Sequence, residues 1–301
     1  MKVQAPIVIS LPENERSTIS LVLDLIKARL TLLVLFTTFA GFYAGSVGPI
    51  SFSLLFHTIF GTFLVAAGAA ALNQLLERDY DAQMPRTANR PLPAGKLDSD
   101  TALLIGTISS VVGLVQLALG VNLLTSCLGA VTLLTYLFVY TPLKRVTVLN
   151  TAIGAIPGAL PPLMGWTAAR GVVSIEGWAL FAILFFWQLP HFLAIAWMYR
   201  DQYERAGFVM LPVVDQTGER TGRQALCHTF GLLPVSLSPF LFGMAGIVYL
   251  AGALSLGIIF IYFAWQFSRT LNTERARQLF LMSIIYLPLI LGLLAADKLR
   301  P

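Results

Sequence analysis

Long apolar runs, separated by shorter polar segments, dominate the amino-acid sequence. A helix needs roughly 20 apolar residues to cross a bilayer core about 30 Å thick. Nine runs approach that length, at residues 30–48, 51–72, 102–119, 121–141, 148–168, 177–199, 225–245, 246–267 and 279–296. The short alternating segments that are typical of transmembrane β-strands are absent from the sequence. The pattern therefore predicts an all-α polytopic membrane protein with nine transmembrane helices in one bundle.

The composition agrees with this interpretation. Of the 301 residues, 56% are hydrophobic and 12% are charged, which is far less charge than a soluble domain of this size carries. Residues 1–20 are mostly polar and precede the first run, so we expect a disordered cytoplasmic tail there and the nine-helix domain at 21–301. Cys127 and Cys227 lie within apolar runs and form neither a disulfide framework nor a metal motif.

Basic residues are distributed unequally over the two faces of the predicted bundle. The N-terminus and the loops after the second, fourth, sixth and eighth spans carry 17 of the 20 Lys and Arg residues, and only Arg170, Lys298 and Arg300 fall on the opposite face. By the positive-inside rule the basic face is cytoplasmic, so the C-terminus is expected outside, as in a protein of the bacterial inner membrane. The net charge of +5 then reports topology and does not indicate nucleic-acid binding.

Acidic residues gather on the same face, although the positive-inside rule does not ask for them. Thirteen of the 15 Asp and Glu residues are predicted to be cytoplasmic, and both long loops, 73–101 and 200–224, lie on this side. We therefore expect a functional cavity that opens to the cytoplasmic face.

The end of the second span carries three oxygen-bearing side chains at four-residue intervals, Asn73, Glu77 and Asp81. On a continuous helix these side chains share one face. Magnesium is usually held by one or two carboxylates together with substrate phosphates, so the spacing is compatible with a magnesium site. The alternative is a solvated helix end whose acids balance Arg78 and Arg86.

Pairs of basic residues follow on the same predicted face. Arg86 and Arg90 are four residues apart and precede prolines, and Lys144 and Arg145 come shortly after Tyr140. Because guanidinium groups match the geometry of phosphate oxygens, these residues are candidates for binding a diphosphate. A purely topological role is the alternative.

The sixth predicted span contains a histidine near its middle. His191 precedes Asp201 by ten residues, which is about 15 Å along a helix. Ionisable groups at that depth are costly and often mark function, although a hydrogen-bonded structural histidine is equally compatible with the sequence. Asp201, with Tyr203 and Glu204 beside it, adds a second acidic segment at the cytoplasmic end of this span.

Together these residues suit the ionisation of a prenyl diphosphate. Magnesium and arginines would stabilise the charge that develops on a departing diphosphate. An apolar wall around Trp187, Phe192 and Trp197 would keep water away from the allylic cation. A transporter with a midplane site is a rival of another class, but most charges here lie at one mouth of the bundle. A structural subunit would leave the acidic row unexplained.

The segment Asn73-x-x-x-Glu77-x-x-x-Asp81 resembles the first acidic motif of the intramembrane prenyltransferases, the UbiA superfamily. Five further segments resemble the haem-farnesylating branch of that superfamily, and the resemblance extends from about residue 21 to 296. They are Met84-x-Arg86-Thr-x-x-Arg90-Pro, Tyr140-Thr-x-x-Lys144-Arg145, Gly154-x-x-x-Gly158-Ala-x-Pro-Pro, Trp187-Gln-x-Pro-His191-Phe and Ala206-Gly-x-x-Met210-Leu-Pro.

The resemblance implies an enzyme that transfers the farnesyl group of farnesyl diphosphate to a vinyl group of protohaem IX, with addition of water, giving haem O and diphosphate. It implies Mg²⁺ as cofactor, and a haem-modifying membrane enzyme downstream as a partner. A quinone precursor is the alternative acceptor. Magnesium would be held by Asn73, Glu77, Asp81 and Asp201. His191 would contact the haem, since imidazole suits iron. Diphosphate would be bound by Arg86, Arg90, Tyr140, Lys144, Arg145 and Tyr203.

The chain departs from the superfamily pattern at both acidic motifs. Glu77 stands where Asp is commoner, and Gln202 stands where a further acid is expected. The second motif therefore has fewer acidic residues than the superfamily pattern. We expect one magnesium ion at the first motif, with Asp201 reaching a second.

Labelling from the outer face tests the predicted topology. In a variant whose two native cysteines are replaced by serine, Arg170→Cys should react with a membrane-impermeant thiol reagent, because it lies in an outer connection. Asn89→Cys, in a cytoplasmic loop, should react only after the membrane is permeabilised. The reverse labelling pattern would place the charged loops, and the candidate site with them, on the outer side of the membrane.

Overall fold

The structure, a computed structural model, describes residues 18–299, so residues 1–17, 300 and 301 lie outside the described part of the chain. Within residues 18–299 the chain is all-helical and has no strand. The helices are α1 (Thr18–Leu25), α2 (Ala28–Gly45), α3 (Phe52–Leu76), α4 (Arg78–Asp81), α5 (Ser99–Gly120), α6 (Leu123–Leu134), α7 (Thr141–Leu143), α8 (Asn150–Arg170), α9 (Ile175–Met198), α10 (Arg200–Arg205), α11 (Leu211–Val214), α12 (Glu219–Leu241), α13 (Ile247–Thr270) and α14 (Thr273–Ala296).

Two boundaries refine the expected organisation. A π-helical segment, Thr135–Tyr140, joins α6 to α7. The expected tail at 1–20 lies almost wholly outside the described residues, and its last residues, from Thr18 on, already belong to α1.

Seven helical stretches in the described part are long and apolar enough to cross a membrane, namely α2, α3, α5, the stretch Leu123–Leu143, α9, α13 and α14. They coincide with seven of the nine predicted spans. The other two runs, 148–168 and 225–245, coincide with α8 and α12, long helices that are less apolar. The lower hydropathy has a simple cause, since α8 is rich in Gly, Ala and Pro and α12 begins with a charged turn. The full count of nine spans stays a prediction.

Small residues bring the helices of the bundle close together, as is common in membrane proteins. A Cβ atom added to Gly41 of α2 would lie 1.9 Å from the carbonyl oxygen of Pro162 in α8. One added to Gly165 of α8 would lie 1.9 Å from the carbonyl oxygen of Thr38 in α2. The backbones of α2 and α8 therefore touch directly, and glycines line the contact of α3 with α5 in the same way.

Two groups of buried apolar side chains flank the middle of the bundle. The larger lies among α9, α12, α13 and α14, and a smaller one lies among α3, α5, α6 and α8. Buried tyrosines in the larger group are satisfied internally: Tyr249 donates to the carbonyl oxygen of Ser236 at 2.8 Å, and the hydroxyl groups of Ser236 and Tyr286 are 2.7 Å apart. The larger cavity described below is lined by side chains from both groups.

Replacing a single glycine at the α2–α8 contact should destabilise the protein. Gly41→Ala places a methyl group within 1.9 Å of a backbone oxygen, and such overpacking costs about 1–3 kcal/mol. We expect a lower thermal unfolding midpoint in detergent. Gly292→Ala is the matched control, because a Cβ there meets no atom within 4 Å and alanine favours a helix. Equal midpoints for the two variants would contradict direct backbone contact between α2 and α8.

Candidate active site

Two adjoining cavities lie in the interior of the bundle. The larger has a volume of about 290 Å³ and is lined mainly by apolar side chains from α2, α3, α6, α8 and α9. The smaller has a volume of about 90 Å³ and is lined mostly by charged and polar side chains from the segments that follow these helices. Tyr140 and Lys144 line both, so an apolar cavity and a polar pocket meet at these two side chains.

The predicted acidic row keeps its geometry although the helix that carries it is interrupted. Helix α3 ends at Leu76, and Glu77 separates it from the short α4. The backbone hydrogen bonds between residues four apart nevertheless continue. The amide of Glu77 donates to the carbonyl oxygen of Asn73 at 3.0 Å, and the amide of Asp81 donates to the carbonyl oxygen of Glu77 at 2.8 Å. The three side chains therefore stay in one line, and all three are buried.

Each oxygen-bearing side chain of the row is bound by one basic side chain from another segment. The Lys27 ammonium donates to Asn73 Oδ1 at 2.5 Å. Lys144 donates to both carboxylate oxygens of Glu77, at 2.8 and 3.1 Å. Arg90 donates to Asp81 Oδ2 at 2.6 Å. We call these three contacts the cation–oxygen row.

Burial and charge pull the pKa values of this row in opposite directions. Burial alone would raise the pKa of Glu77, but the ammonium groups of Lys144 and Lys27 outweigh it and hold that pKa below its ordinary value. Burial alone would lower the pKa of Lys144, but the Glu77 carboxylate outweighs it and raises that pKa. Both partners are therefore charged at neutral pH.

Lys27 is the one basic side chain of the row whose acceptor, Asn73, is neutral. Burial, aided by the nearby positive charge of Arg90, lowers the pKa of Lys27 to about 7. Its backbone is left-handed, with φ of 50°, a conformation uncommon for a residue other than glycine and found repeatedly at functional sites. The sequence pattern did not single out Lys27, because one lysine just before a span is fully accounted for by topology.

Arg86 has a different environment from the cations of the row. It is exposed, its guanidinium donates to the Tyr203 hydroxyl at 3.0 Å, and it lies over the rings of Tyr199 and Tyr203. Among residues 18–299, no carboxylate forms an ion pair with Arg86. Arg86 is therefore a positioned cation at the rim of the polar pocket.

The segment that follows α10 closes one side of the polar pocket. It turns at Gly207, whose φ is +71°, and then places Phe208 and Met210 in the pocket wall. The amide of Val209 donates to the carbonyl oxygen of Lys144 at 2.7 Å. This bond holds the loop against the chain segment that carries Lys144. Two residues of the segment Ala206–Met210, Phe208 and Met210, therefore line the polar pocket.

Two of the residues predicted to hold magnesium or diphosphate are not brought to the polar pocket. Asp201 is exposed, and its carboxylate lies 3.5 Å from the neighbouring Arg200. Arg145 is also exposed and contacts Tyr80, donating to the hydroxyl and lying 4.5 Å from the ring centroid. The other predicted residues do assemble: Glu77, Asp81, Arg86, Arg90, Tyr140, Lys144 and Tyr203 line the pocket, and Asn73 is bonded to its wall through Lys27.

His191 lies away from this pocket and lines the apolar cavity. Its Nδ1 atom is 2.7 Å from the hydroxyl oxygen of Ser283 in α14. The ring stacks on Trp187, with centroids 5.1 Å apart, and lies 5.0 Å from Phe280. The structure therefore separates the predicted haem contact from the predicted diphosphate contacts.

The residues of the row fit magnesium that is shared with a substrate. Within residues 18–299 no three His, Cys, Asp or Glu side chains converge as a complete metal site. Glu77 and Asp81 nevertheless supply two buried carboxylates that line one pocket. Two carboxylates completed by phosphate oxygens and water are a usual ligand set for Mg²⁺.

Comparisons with known proteins identify the family to which the chain is similar. The UbiA prenyltransferase family matches residues 34–286. A protein of Solibacter usitatus named Protoheme IX farnesyltransferase is 48% identical over 285 residues, which cover 92% of this chain and 98% of that protein. This extent confirms the resemblance drawn from the motifs.

Solved structures share the architecture. One from work on digeranylgeranylglyceryl phosphate synthase has a TM-score of 0.79 at 19% identity, covering 93% of this chain and 98% of that one. A UbiA homologue from Archaeoglobus fulgidus bound to GPP and Mg²⁺ has a TM-score of 0.63 at 16% identity, covering 91% and 99%. At these identities the likeness shows the fold alone. With the family match over most of its length, this chain belongs to the UbiA prenyltransferase family.

Proposed function

We propose that this membrane-embedded prenyltransferase transfers the farnesyl group of farnesyl diphosphate to a vinyl group of protohaem IX and adds water, giving haem O and diphosphate. The 48% identity to a protein named Protoheme IX farnesyltransferase supports the acceptor and the donor. The observation that carries the proposal is the junction at Tyr140 and Lys144, where a cationic pocket meets an apolar cavity that contains His191.

The polar pocket is built to receive an anion. Its wall carries two carboxylates, Glu77 and Asp81, and four basic side chains, Lys27, Arg86, Arg90 and Lys144. Positive charge is therefore in excess, and a diphosphate would bring the compensating charge. Lys144 and Arg90 can turn from their carboxylates to phosphate oxygens, since charge-assisted hydrogen bonds are strong with either partner.

This exchange of partners also frees the row for the metal. When Lys144 and Arg90 bind phosphate, the oxygens of Glu77 and Asp81 lose their cations and become available, with Asn73, as ligands. Bound Mg²⁺ would neutralise charge on the leaving diphosphate. Asp201 would have to move from its exposed position to take part, so we assign the first ion to the row and propose Asp201 only for a second.

The apolar cavity provides for the rest of the donor. Its volume of about 290 Å³ is near the lower end of the range for small-molecule sites. Walls such as Val65, Leu133 and Leu184 offer an allylic cation no nucleophile, which limits its premature capture by water. Tyr140 lies where the pocket and cavity meet, so its ring would border the bond that breaks.

His191 would meet the haem in the same cavity. A vinyl group that attacks the allylic cation leaves a positive charge next to the macrocycle, which delocalises it until water adds. His191 contributes an imidazole held among aromatic rings. The product would remain in the bilayer, where a haem-modifying membrane enzyme would be its consumer. We place the polar pocket at the cytoplasmic face, because the basic loops surround it.

Product analysis tests the function directly. Purified protein incubated with protohaem, farnesyl diphosphate and magnesium should yield a haem whose mass has increased by one farnesyl group and one hydroxyl group, because the added water loses a proton, with release of one diphosphate. Mass spectrometry of the extracted haem measures this. A parallel incubation replaces protohaem with a quinone precursor. If only the quinone precursor is prenylated, the acceptor is a quinone precursor and not haem.

Binding titrations test the division of roles within the polar pocket. Asp81→Asn should weaken farnesyl diphosphate binding only when magnesium is present, and binding without magnesium should be unchanged or tighter, because Arg90 is released. Turnover should fall by on the order of 10²-fold or more. Arg86→Gln should weaken binding with and without magnesium, since Arg86 meets phosphate as a free cation.

The matched control for these variants is Arg277→Gln, which removes an exposed arginine that does not line the pocket. It should leave both titrations unchanged. If Asp81→Asn and Arg86→Gln respond to magnesium in the same way, the cation–oxygen row does not exchange partners as described.

A further inference from the structure

The buried hydroxyl of Ser283 connects His191 to the backbone of α14. Ser283 is fully buried, and its Oγ atom lies 2.7 Å from His191 Nδ1 and 2.5 Å from the carbonyl oxygen of Phe280. The carbonyl oxygen of Ser283 itself accepts the indole N–H of Trp187 at 2.7 Å. One residue of α14 therefore contacts both polar side chains that α9 presents to it here.

The direction of the hydrogen bonds that link His191, Ser283 and Phe280 follows from the number of protons that each group can donate. A serine hydroxyl has one proton to donate and can accept from others, whereas a carbonyl oxygen only accepts. The Ser283 proton must therefore point to Phe280, because that carbonyl has none to give. The contact with His191 can then be a hydrogen bond only if His191 Nδ1 carries the proton.

The protonation of the other ring nitrogen follows. A neutral imidazole carries one proton, so a proton on Nδ1 leaves Nε2 with a free lone pair. The residues 18–299 provide no recorded hydrogen-bond partner for Nε2, and the side chain lines the apolar cavity. Its lone pair is thus available to whatever enters that cavity.

Aromatic neighbours fix the plane of the ring as well. The His191 ring lies at 23° to Trp187 and at 30° to Phe280, with centroids 5.1 and 5.0 Å away. Rotation about the side chain would break the bond to Ser283 and disturb both contacts. The ring is therefore held in position and in one tautomer before a ligand arrives.

We propose that Ser283 is a positioning residue that holds the proton on His191 Nδ1 and so presents Nε2 as an axial ligand to the iron of protohaem. A histidine ligand whose other nitrogen donates to a protein acceptor is a common arrangement at metal sites, because that bond sets the tautomer and raises the basicity of the ligand. The inference rests on the proposed function, since it takes haem as the substrate. Ser283 acts through His191 and does not itself touch the haem.

Resonance Raman spectra of ferrous protohaem bound to the purified full-length protein test this. The wild type should show an iron–histidine stretching band, and His191→Ala should lack it. Ser283→Ala should shift the band to lower frequency, because Nδ1–H loses its acceptor, and should weaken haem binding by on the order of 10-fold. Ser283→Thr keeps a hydroxyl and should restore both values.

Ser255→Ala is the matched control. Ser255 also donates to a carbonyl oxygen of its own helix, Ala251 at 2.8 Å, but it is exposed on α13. Its substitution should change neither spectrum nor affinity. Farnesyl diphosphate binding should be normal in Ser283→Ala, Ser283→Thr and Ser255→Ala, because neither serine lines either of the two cavities. Normal binding shows that these variants are folded and that their polar pocket is intact.

The outcomes separate the two levels of the proposal. An iron–histidine band that His191→Ala abolishes, but that Ser283→Ala leaves unmoved, would overturn the role of Ser283 alone. A wild-type protein without such a band, or a band that survives in His191→Ala, would overturn iron ligation by His191 and the role of Ser283 with it. Farnesylated haem formed by such a protein would still support the proposed function.

Discussion

The burial of three cation–oxygen contacts at one mouth of the bundle is the constraint on which the site depends. Lys27, Arg90 and Lys144 come from three separate segments and meet Asn73, Asp81 and Glu77 on a fourth. A buried ion pair gives little net stability, because desolvation offsets the attraction. Removing one partner is nevertheless costly, by about 3–5 kcal/mol, since a charge is left uncompensated. The row therefore fixes how these segments meet more than it stabilises the fold.

In the proposed function, the same contacts would let the site respond to substrate. A cation that neutralises a carboxylate in one state can neutralise a phosphate in the next, so neither group is left bare in a poorly solvated pocket. The ion pair of Asp201 with Arg200, for comparison, is exposed to solvent. Glu77 and Asp81, in contrast, are buried and paired with Lys144 and Arg90.

The packing of the helices leaves a polar pocket and an apolar cavity in different parts of the interior. Direct backbone contact between α2 and α8 leaves no room for side chains there. His191 lines the apolar cavity, whereas Glu77, Asp81 and Arg90 line the polar pocket. The π-helical segment before α7 brings Tyr140 to the border of both cavities. The two cavities thus share Tyr140 and Lys144 in their walls.

The sequence by itself determined the helices and the row of oxygen-bearing side chains at the mouth of the bundle. The length of an apolar run and the four-residue spacing of side chains are local properties of the sequence. All of the predicted runs coincide with helices, and Asn73, Glu77 and Asp81 stay in line because their backbone bonds continue through a break in the helix. The tertiary structure alone decided which cations reach the row. Lys27 enters it through a left-handed turn, whereas Arg145 turns away to Tyr80. The pairing of His191 with Ser283, 92 residues apart, was likewise beyond local pattern, since only the packing of α14 against α9 brings the hydroxyl to the imidazole.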